Sequence, residues 1–399
     1  MTVTFKESKA KGEISAPPSK SMAHRYLICG AFSEKSIIKG VDFSKDINAT
    51  LNCLENLGAN IEILGNDVKI GGFNTNFTPE NILDCNESGS TLRFLIPIAL
   101  TLGKEVDFKG SQRLFSRSLS VYEDICKNQG IRFELKKESL TVCGKLKSGV
   151  YNVRGDVSSQ FITGLMFALS LTEGESVINI TEILESGSYI DLTVSALKEF
   201  GANIDRKDKR TIIINKSHYV SREITVEGDY SNAAFLDAFN YLGGSVTVNG
   251  LSQNSGQGDR VYKEYFELIK NGNPTLDIAD CPDLAPVLMA MAAAHNGAEF
   301  VGTKRLKIKE SDRGNAMKEE LGKLGCSVIV EENKITVKGC DLRTPTVPIN
   351  SHNDHRIVMA MSVLLSVTGG EIEGAEAVSK SYPDFFCDIN KLGIEANIS

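Results

Sequence analysis

At 399 residues the chain has length for two or three domains with sizeable cores. Its 41% apolar and 24% charged residues exclude collagen-like, low-complexity and disulfide-scaffold proteins, and 7% aromatics without Trp leave little for base-stacking platforms. The net charge of -7 excludes a general nucleic-acid coat, so an anion site must be a local basic cluster in an acidic protein.

In chain order, MTVTFKESKAKGEIS has Lys and Glu where an export signal needs an apolar run, and it lacks the Arg/Ser-rich, acid-poor character of a transit peptide. A pattern then repeats: a short β-rich segment, a loop of small polar residues, and an apolar helix. It occurs as EISAPPSKSMAHRYLICGAF from Glu13, ILDCNESGSTLRFLIPIAL from Ile82, YNVRGDVSSQFITGLMFALSL from Tyr151, ITVEGDYSNAAFLDAFNYLGG from Ile224, LDIADCPDLAPVLMAMAAAHNG from Leu276 and VPINSHNDHRIVMAMSVLLSVTGG from Val347. Its loop landmarks Lys20, Glu87, Ser158, Asp229, Cys281 and Asp354 are 67, 71, 71, 52 and 73 residues apart. Between them a second motif recurs, a helix ending at Gly58, Gly130, Gly201 or Gly325 and followed by two strands with period-two alternation. Each glycine stands where a helix C-cap needs positive φ.

The pattern predicts a mixed α/β protein of six β-α-β-α-β-β units, three in each of two domains, with a boundary near Glu227 to Asp229. The longest apolar runs, Leu284 to Ala294 and Ile357 to Val367, are half of the ~20 residues that span a bilayer and read as buried helices. Nine scattered cysteines, an odd number without a C-x-x-C pair, point to reduced cytosolic thiols and away from a zinc cluster.

Every polar loop opens a buried helix, the end that favours phosphate or carboxylate. The loops carry Lys20, Ser21 and Arg25; Ser88, Gly89, Ser90 and Arg93; Ser158, Ser159 and Gln160; Asp229 and Ser231; Asp283; and Asp354, His355 and Arg356. A Ser or Asp there is ordinarily an N-cap. Lys20, Arg25 and Arg356 at apolar helix starts are costlier, and an anionic ligand would offset their desolvation. Further cations come from GSQRLFSRSLSVYEDI, with Arg113 and Arg117 on one face if helical, and from TKRLKIKESDRGNAMKEEL, where Lys304, Arg305, Lys307, Lys309 and Arg313 stand among Glu310 and Asp312. There is no G-x-x-x-x-G-K-[ST] motif, and Gly256-Gln257-Gly258 lacks the third glycine of a dinucleotide fingerprint. His352 and His355 lie without the third histidine or H-E-x-x-H of a zinc site, so no metal is expected.

PPSKSMAHR, ESGSTLR, the Arg117 segment, GDVSSQF, ESGSYIDLT, CPDLAP, KIKESDR, NDHRIVMA and SKSYPDFF together resemble, in order and spacing, the 5-enolpyruvylshikimate-3-phosphate synthase family over nearly the whole chain. The resemblance implies an α/β fold of two similar domains (1–18 with 229–399, and 19–228), each of three βαβαββ units with pseudo-threefold symmetry, an inside-out α/β barrel with the active site in the cleft between. It implies a cytoplasmic, metal-free and cofactor-free transfer of the enolpyruvyl group of phosphoenolpyruvate to the 5-hydroxyl of shikimate 3-phosphate, in the shikimate pathway to aromatic amino acids. The partners implied are these two substrates, with no nucleic acid, no membrane and a monomeric chain.

By the same resemblance Ser21 and Arg25 hold the shikimate carboxylate, and Ser158, Ser159 and Ser186, with Tyr189 beside them, its phosphate. Lys20, Gly89, Arg117 and Gln160 meet the phosphate of phosphoenolpyruvate, with Lys20 and Gln160 shared between the ligands, and Arg313, Arg356 and Lys380 meet its carboxylate. Lys309 contacts the shikimate ring hydroxyls. Asp283 is the base toward the reacting hydroxyl and Glu310 the proton shuttle at the methylene, with Lys20 competing for that role and His355 and Lys380 assisting. Glu87 and Arg305 depart from the family pattern, each standing where many members have Asn. The alternatives are the related transferase acting on UDP-N-acetylglucosamine, whose reactive Cys is missing near Arg113 and Arg117, and a non-catalytic binder of phosphorylated metabolites. Two domains joined near residues 18 and 228 are expected to close when both substrates bind.

Overall fold

The computed structural model describes residues 1–74, 76–77 and 82–399. It divides into a unit inserted in the chain, Pro18–Val226, and a terminal unit of Met1–Pro17 and Glu227–Ser399.

The inserted unit contains helices α1 (Lys20–Phe32), α2 (Lys45–Asn56), α3 (Gly89–Leu100), α4 (Gln112–Ser116), α5 (Ser120–Gln129), α6 (Ser159–Leu169) and α7 (Gly187–Glu199). Three four-stranded sheets share one plan: two parallel strands, then a hairpin whose second strand runs antiparallel beside them. One sheet runs Leu83–Asp84, Glu105–Lys109, Ser139–Cys143, Arg132–Leu135, and the next Val150–Arg154, Glu175–Thr181, Thr211–Asn215, Ile204–Arg206. Period-two alternation turns one face of each sheet inward. Ile178 and Ile180 on one strand, and Ile212 and Ile214 on its neighbour, join a single core with the helices. In α3 and α6 the second position carries Ser90 or Gln160, and the remaining residues are buried and mostly apolar, as in core helices, with Arg93 the charged exception.

The terminal unit contains α8 (Tyr230–Ala238), α9 (Tyr262–Asn271), α10 (Ala285–Ala294), α11 (Arg313–Lys323), α12 (His355–Thr368) and α13 (Phe385–Lys391). As read from the sequence, the two long apolar runs are the buried helices α10 and α12. Among the described residues no helix is long and apolar enough to cross a membrane. All four predicted C-cap glycines have positive φ: 94° at Gly58, 67° at Gly130, 84° at Gly201 and 90° at Gly325.

The even six-unit reading needs correction in three places. Strand Lys11–Ser15 precedes α1 but pairs with Ser245–Asn249, whereas Glu223–Thr225 precedes α8 but pairs with Ser36–Lys39. The first and fourth units have thus exchanged their opening strands. The fourth unit has no hairpin of its own, because α9 leads directly to Thr275–Asp277 of the next sheet, which accounts for the short step in the landmark spacing. The sixth sheet takes its middle antiparallel strand from the chain's other end, where Thr2–Phe5 lies between Gly370–Glu373 and Ala396–Ile398.

Two local expectations also change. Arg113 and Arg117 do not share a helical face: α4 ends at Ser116 and Arg117 is extended, with φ -77° and ψ 120°. The Ser116 hydroxyl donates to Arg113 O at 2.8 Å and Ser118 Oγ accepts from Ser120 N at 3.3 Å, local bonds that compete with helix continuation. Cys326 and Cys340, placed among the thiols by their spacing, form a disulfide. The hairpin between them returns the chain, with Lys338 N donating to Ser327 O at 3.0 Å, and brings the two Cα atoms to 5.5 Å.

Candidate active site

In the inserted unit the starts of α1, α3 and α6 are capped by Ser19, Ser88 and Ser158, whose hydroxyls accept from the N–H groups of Met22, Thr91 and Gln160. The ordinary N-cap reading therefore holds for Ser158, although an accepting cap does not consume the hydroxyl proton. Ser159 is buried in the first turn of α6. Ser186, also buried, is left-handed at the start of α7, with φ 57°.

Arg25 is 3% exposed and spans α1 and α7. Its Nε donates to Thr193 Oγ1 at 2.9 Å, one terminal nitrogen to Ser21 O at 2.6 Å and the other to Tyr189 O at 2.9 Å. Its guanidinium lies 5.7 Å from the Phe94 ring centroid and 5.9 Å from that of Tyr189. Burial pushes it down to about 10, partly opposed by Tyr189 and Cys29, so it stays charged at neutral pH. A buried guanidinium held by neutral oxygens is suited to an anion.

Lys20, opening α1, pairs with Asp46 of α2 at 2.9 Å. At the start of α3, Gly89 lies against two guanidiniums: a Cβ there would be 2.8 Å from Arg117 Nη1 and 3.0 Å from Arg93 Nη1. Arg93 donates to Gln160 Oε1 at 2.8 Å, and Gln160 Nε2 donates to Ser90 at 3.0 Å. Gly89, Arg117 and Gln160 are thus brought together, and Arg93 joins them although the sequence reading left it out of the site. Its signal was its place one turn after Gly89. Nearby, His24 shares a 2.9 Å hydrogen bond with Thr50, and burial, then Lys20 and Arg25, push its imidazole well below the ordinary value.

The terminal unit gathers the other residues. Asp283 lies in a 3-10 turn, Pro282–Leu284; Lys309 follows a second, Lys304–Ile308; Arg313 opens α11; and Asp354 caps α12, accepting from Arg356 N at 3.0 Å. One oxygen of Asp283 accepts from Arg313 at 2.7 Å and Lys309 at 3.2 Å, and the other is 3.1 Å from Arg356. Arg313, 1% exposed, also grips Asp354 at 2.9 Å and Glu310 at 2.7 Å. Arg356 reaches Ser231 Oγ at 2.5 Å, and Lys380 donates to Asn353 O at 2.6 Å. His355 is buried, its Nδ1 3.8 Å from Asp354.

Burial works to raise the Asp283 carboxyl, but Arg356, Lys309 and Arg313 outweigh it and hold the group well below the usual carboxylate range. Burial pulls Lys309 down, as do Arg313 and Arg305, while Asp283 opposes them. Arg305 is itself buried and Glu87 half-buried. His352 turns to Glu320 at 2.8 Å rather than toward His355. Glu319, Glu320 and His352 bring potential ligand atoms within 4.8 Å of one another, but Lys323 supplies Glu320 with a cation at 2.7 Å.

A family model described as EPSP synthase (3-phosphoshikimate 1-carboxyvinyltransferase) matches residues 5–389. The chain belongs to the EPSP synthase family. It is 43% identical over 416 residues to the 3-phosphoshikimate 1-carboxyvinyltransferase of Clostridium kluyveri, covering 98% of this chain and 97% of that one. With the enzyme of that name from Clostridium novyi it shares 41% over 419 residues, covering 97% and 96%. Among solved structures, an EPSP synthase of Acinetobacter baumannii matches with a TM-score of 0.80 at 22% identity, covering 100% of this chain and 99% of the other. The repeated α/β architecture expected from the sequence is thus the EPSP synthase fold.

Proposed function

We propose that the chain transfers the enolpyruvyl group of phosphoenolpyruvate to the 5-hydroxyl of 3-phosphoshikimate, releasing phosphate, the reaction of its family in the shikimate pathway. The carrying observation is Asp283, a carboxylate in contact with Lys309, Arg313 and Arg356. In that setting it is a weak base. When the carboxylate of phosphoenolpyruvate engages Arg313, Arg356 and Lys380, two of the three cations are drawn away from Asp283 and its basicity rises.

Asp283 then accepts the proton of the 5-hydroxyl while that oxygen bonds to C2 of phosphoenolpyruvate. The methylene gains a proton from Glu310, or from Lys20 in the competing assignment, and becomes the methyl of a tetrahedral adduct. In the second half the bond from C2 to the phosphate oxygen breaks, the departing phosphate takes up the proton held by Asp283, and the methyl returns a proton to the group that supplied it, so that the enol ether and inorganic phosphate leave with both side chains restored. His355, beside Asp354, assists the transfer.

Lys20, Arg117 and Gln160 hold the departing phosphate, with Gly89 leaving it room. Ser21 and Arg25 hold the shikimate carboxylate, Ser158, Ser159 and Ser186 its phosphate, and Lys309 the ring hydroxyls. Fixed cations around developing charge supply most of the acceleration. The scheme uses no metal or cofactor, and one chain supplies every group named. A cytoplasmic setting is part of the proposal; seven of the nine cysteines remain thiols, in its favour, and the Cys326–Cys340 disulfide counts against it.

Phosphorus NMR of the purified protein with phosphoenolpyruvate and either 3-phosphoshikimate or UDP-N-acetylglucosamine tests this reading. Inorganic phosphate and a new enol ether appearing only with 3-phosphoshikimate supports it. Turnover of the sugar nucleotide, or binding without turnover, refutes it.

A further inference from the structure

Glu320 is fully buried and has no part in the scheme above. It follows Arg313 by seven residues on α11, two turns along the same face. One of its oxygens accepts from Asn350 N at 2.9 Å and lies 2.7 Å from Lys323 Nζ, and the other is 2.8 Å from His352 Nε2. Lys323 itself donates to Pro348 O at 3.1 Å.

Helix α11 therefore holds one loop at two points, by Arg313 on Asp354 and by Glu320 on Asn350 and His352. Between these grips His352 and Asn353 are both left-handed, with φ 48° and 53°, a conformation that Asn and His tolerate better than most side chains but that is uncommon for two successive non-glycine residues. The loop's products are all in the site. Asn353 presents the carbonyl that anchors Lys380, Asp354 orients Arg313, and Arg356 starts α12 toward Asp283.

We propose that Glu320 and His352 are positioning residues that hold the 350–354 loop in its left-handed form, and so set the affinity for the carboxylate end of phosphoenolpyruvate without touching it. The proposal rests on the reading of Arg313, Arg356 and Lys380 as the groups that bind that carboxylate.

The test is initial-rate kinetics, with each substrate varied in turn, on E320Q, H352A, H352Q and K380A. E320Q and H352A raise KM for phosphoenolpyruvate about tenfold, as loss of one charged hydrogen bond implies. Their KM for 3-phosphoshikimate stays near that of the parent, and H352Q, which retains a donor, recovers most of the loss. Should E320Q fail to fold, the partly exposed His352 carries the test through its Ala and Gln variants. Raised KM in K380A with an unchanged value in E320Q and H352A overturns the positioning role alone. An unchanged KM in K380A removes the underlying reading and the proposal with it. Equal changes in both KM values, or a fall in kcat alone, mark Glu320 and His352 as merely structural.

Discussion

Asp283 and Arg313 meet at 2.7 Å, although 30 residues separate them in the chain. Their contact ties the 3-10 turn after the fifth unit's first strand to the start of α11, and Lys309 and Arg356 complete the ring of cations. Because those cations keep Asp283 ionised, its role as base depends on the incoming carboxylate drawing them away. Asp283→Ala is expected to lower kcat by about 100- to 10,000-fold, the range for loss of a positioned general base. Binding of 3-phosphoshikimate, measured by calorimetry, should change only a few-fold.

Gly89 is a separate test of the phosphate pocket. The nearest atoms to a methyl group added there are the ends of two arginine side chains, Arg117 and Arg93, not backbone, so the fold should tolerate Gly89→Ala. The guanidiniums must move, and the phosphate they are proposed to hold should bind less well. The expected result is KM for phosphoenolpyruvate up by about tenfold, one charged hydrogen bond's worth, with that for 3-phosphoshikimate little changed. Equal KM values in variant and parent would remove Gly89 from the site.

Arg25 should act on the other substrate. Its three nitrogens reach Thr193, Ser21 and Tyr189, and Lys cannot reproduce that planar fork. Arg25→Ala and Arg25→Lys are both expected to weaken 3-phosphoshikimate by about 10- to 100-fold, read by titration calorimetry. A Lys variant binding like the parent contradicts directed recognition by the fork.

His352 and His24 should give stability opposite pH slopes. The Glu320 hydrogen bond raises His352, against burial, with further help from the Glu320 and Glu319 charges and opposition from Lys323. Its contribution is fully present below the unfolded value of about 6.5 and fades as pH rises through the higher folded value. Burial, with Lys20 and Arg25, lowers His24, so the folded state refuses a proton that the unfolded chain accepts, and stability falls as pH drops below about 6.5. Urea unfolding across pH 6 to 9 should show the stability gap between parent and H352Q narrowing as pH rises. A constant gap would mean that the His352 charge contributes nothing.

Much of this was legible in the residues because it is local. N-capped apolar helices and positive-φ glycines after them are short-range patterns, and Ser158, Gly58 and α12 carry them plainly. Pairing was less visible. Lys11–Ser15 and Glu223–Thr225 have no feature that distinguishes their own sheet from the other's, and their partners lie far along the chain. Charge partners behaved likewise. Glu310 and Asp312 both precede Arg313 in sequence, but only Glu310 pairs with it; Asp312 turns to cap α11, and the rest of the guanidinium goes to Asp283 and Asp354, 30 and 41 residues away. Arg93 was named at its helix start but given no role, because only the packing of α3 against α6 shows that it meets Gln160.

The central claim is most directly tested by the rate of phosphate release from phosphoenolpyruvate in the presence of 3-phosphoshikimate, with UDP-N-acetylglucosamine as a parallel acceptor and Asp283→Ala alongside. The account predicts release with 3-phosphoshikimate only, abolished or nearly so in the variant. Release with the sugar nucleotide, or undiminished release by the variant, would contradict it.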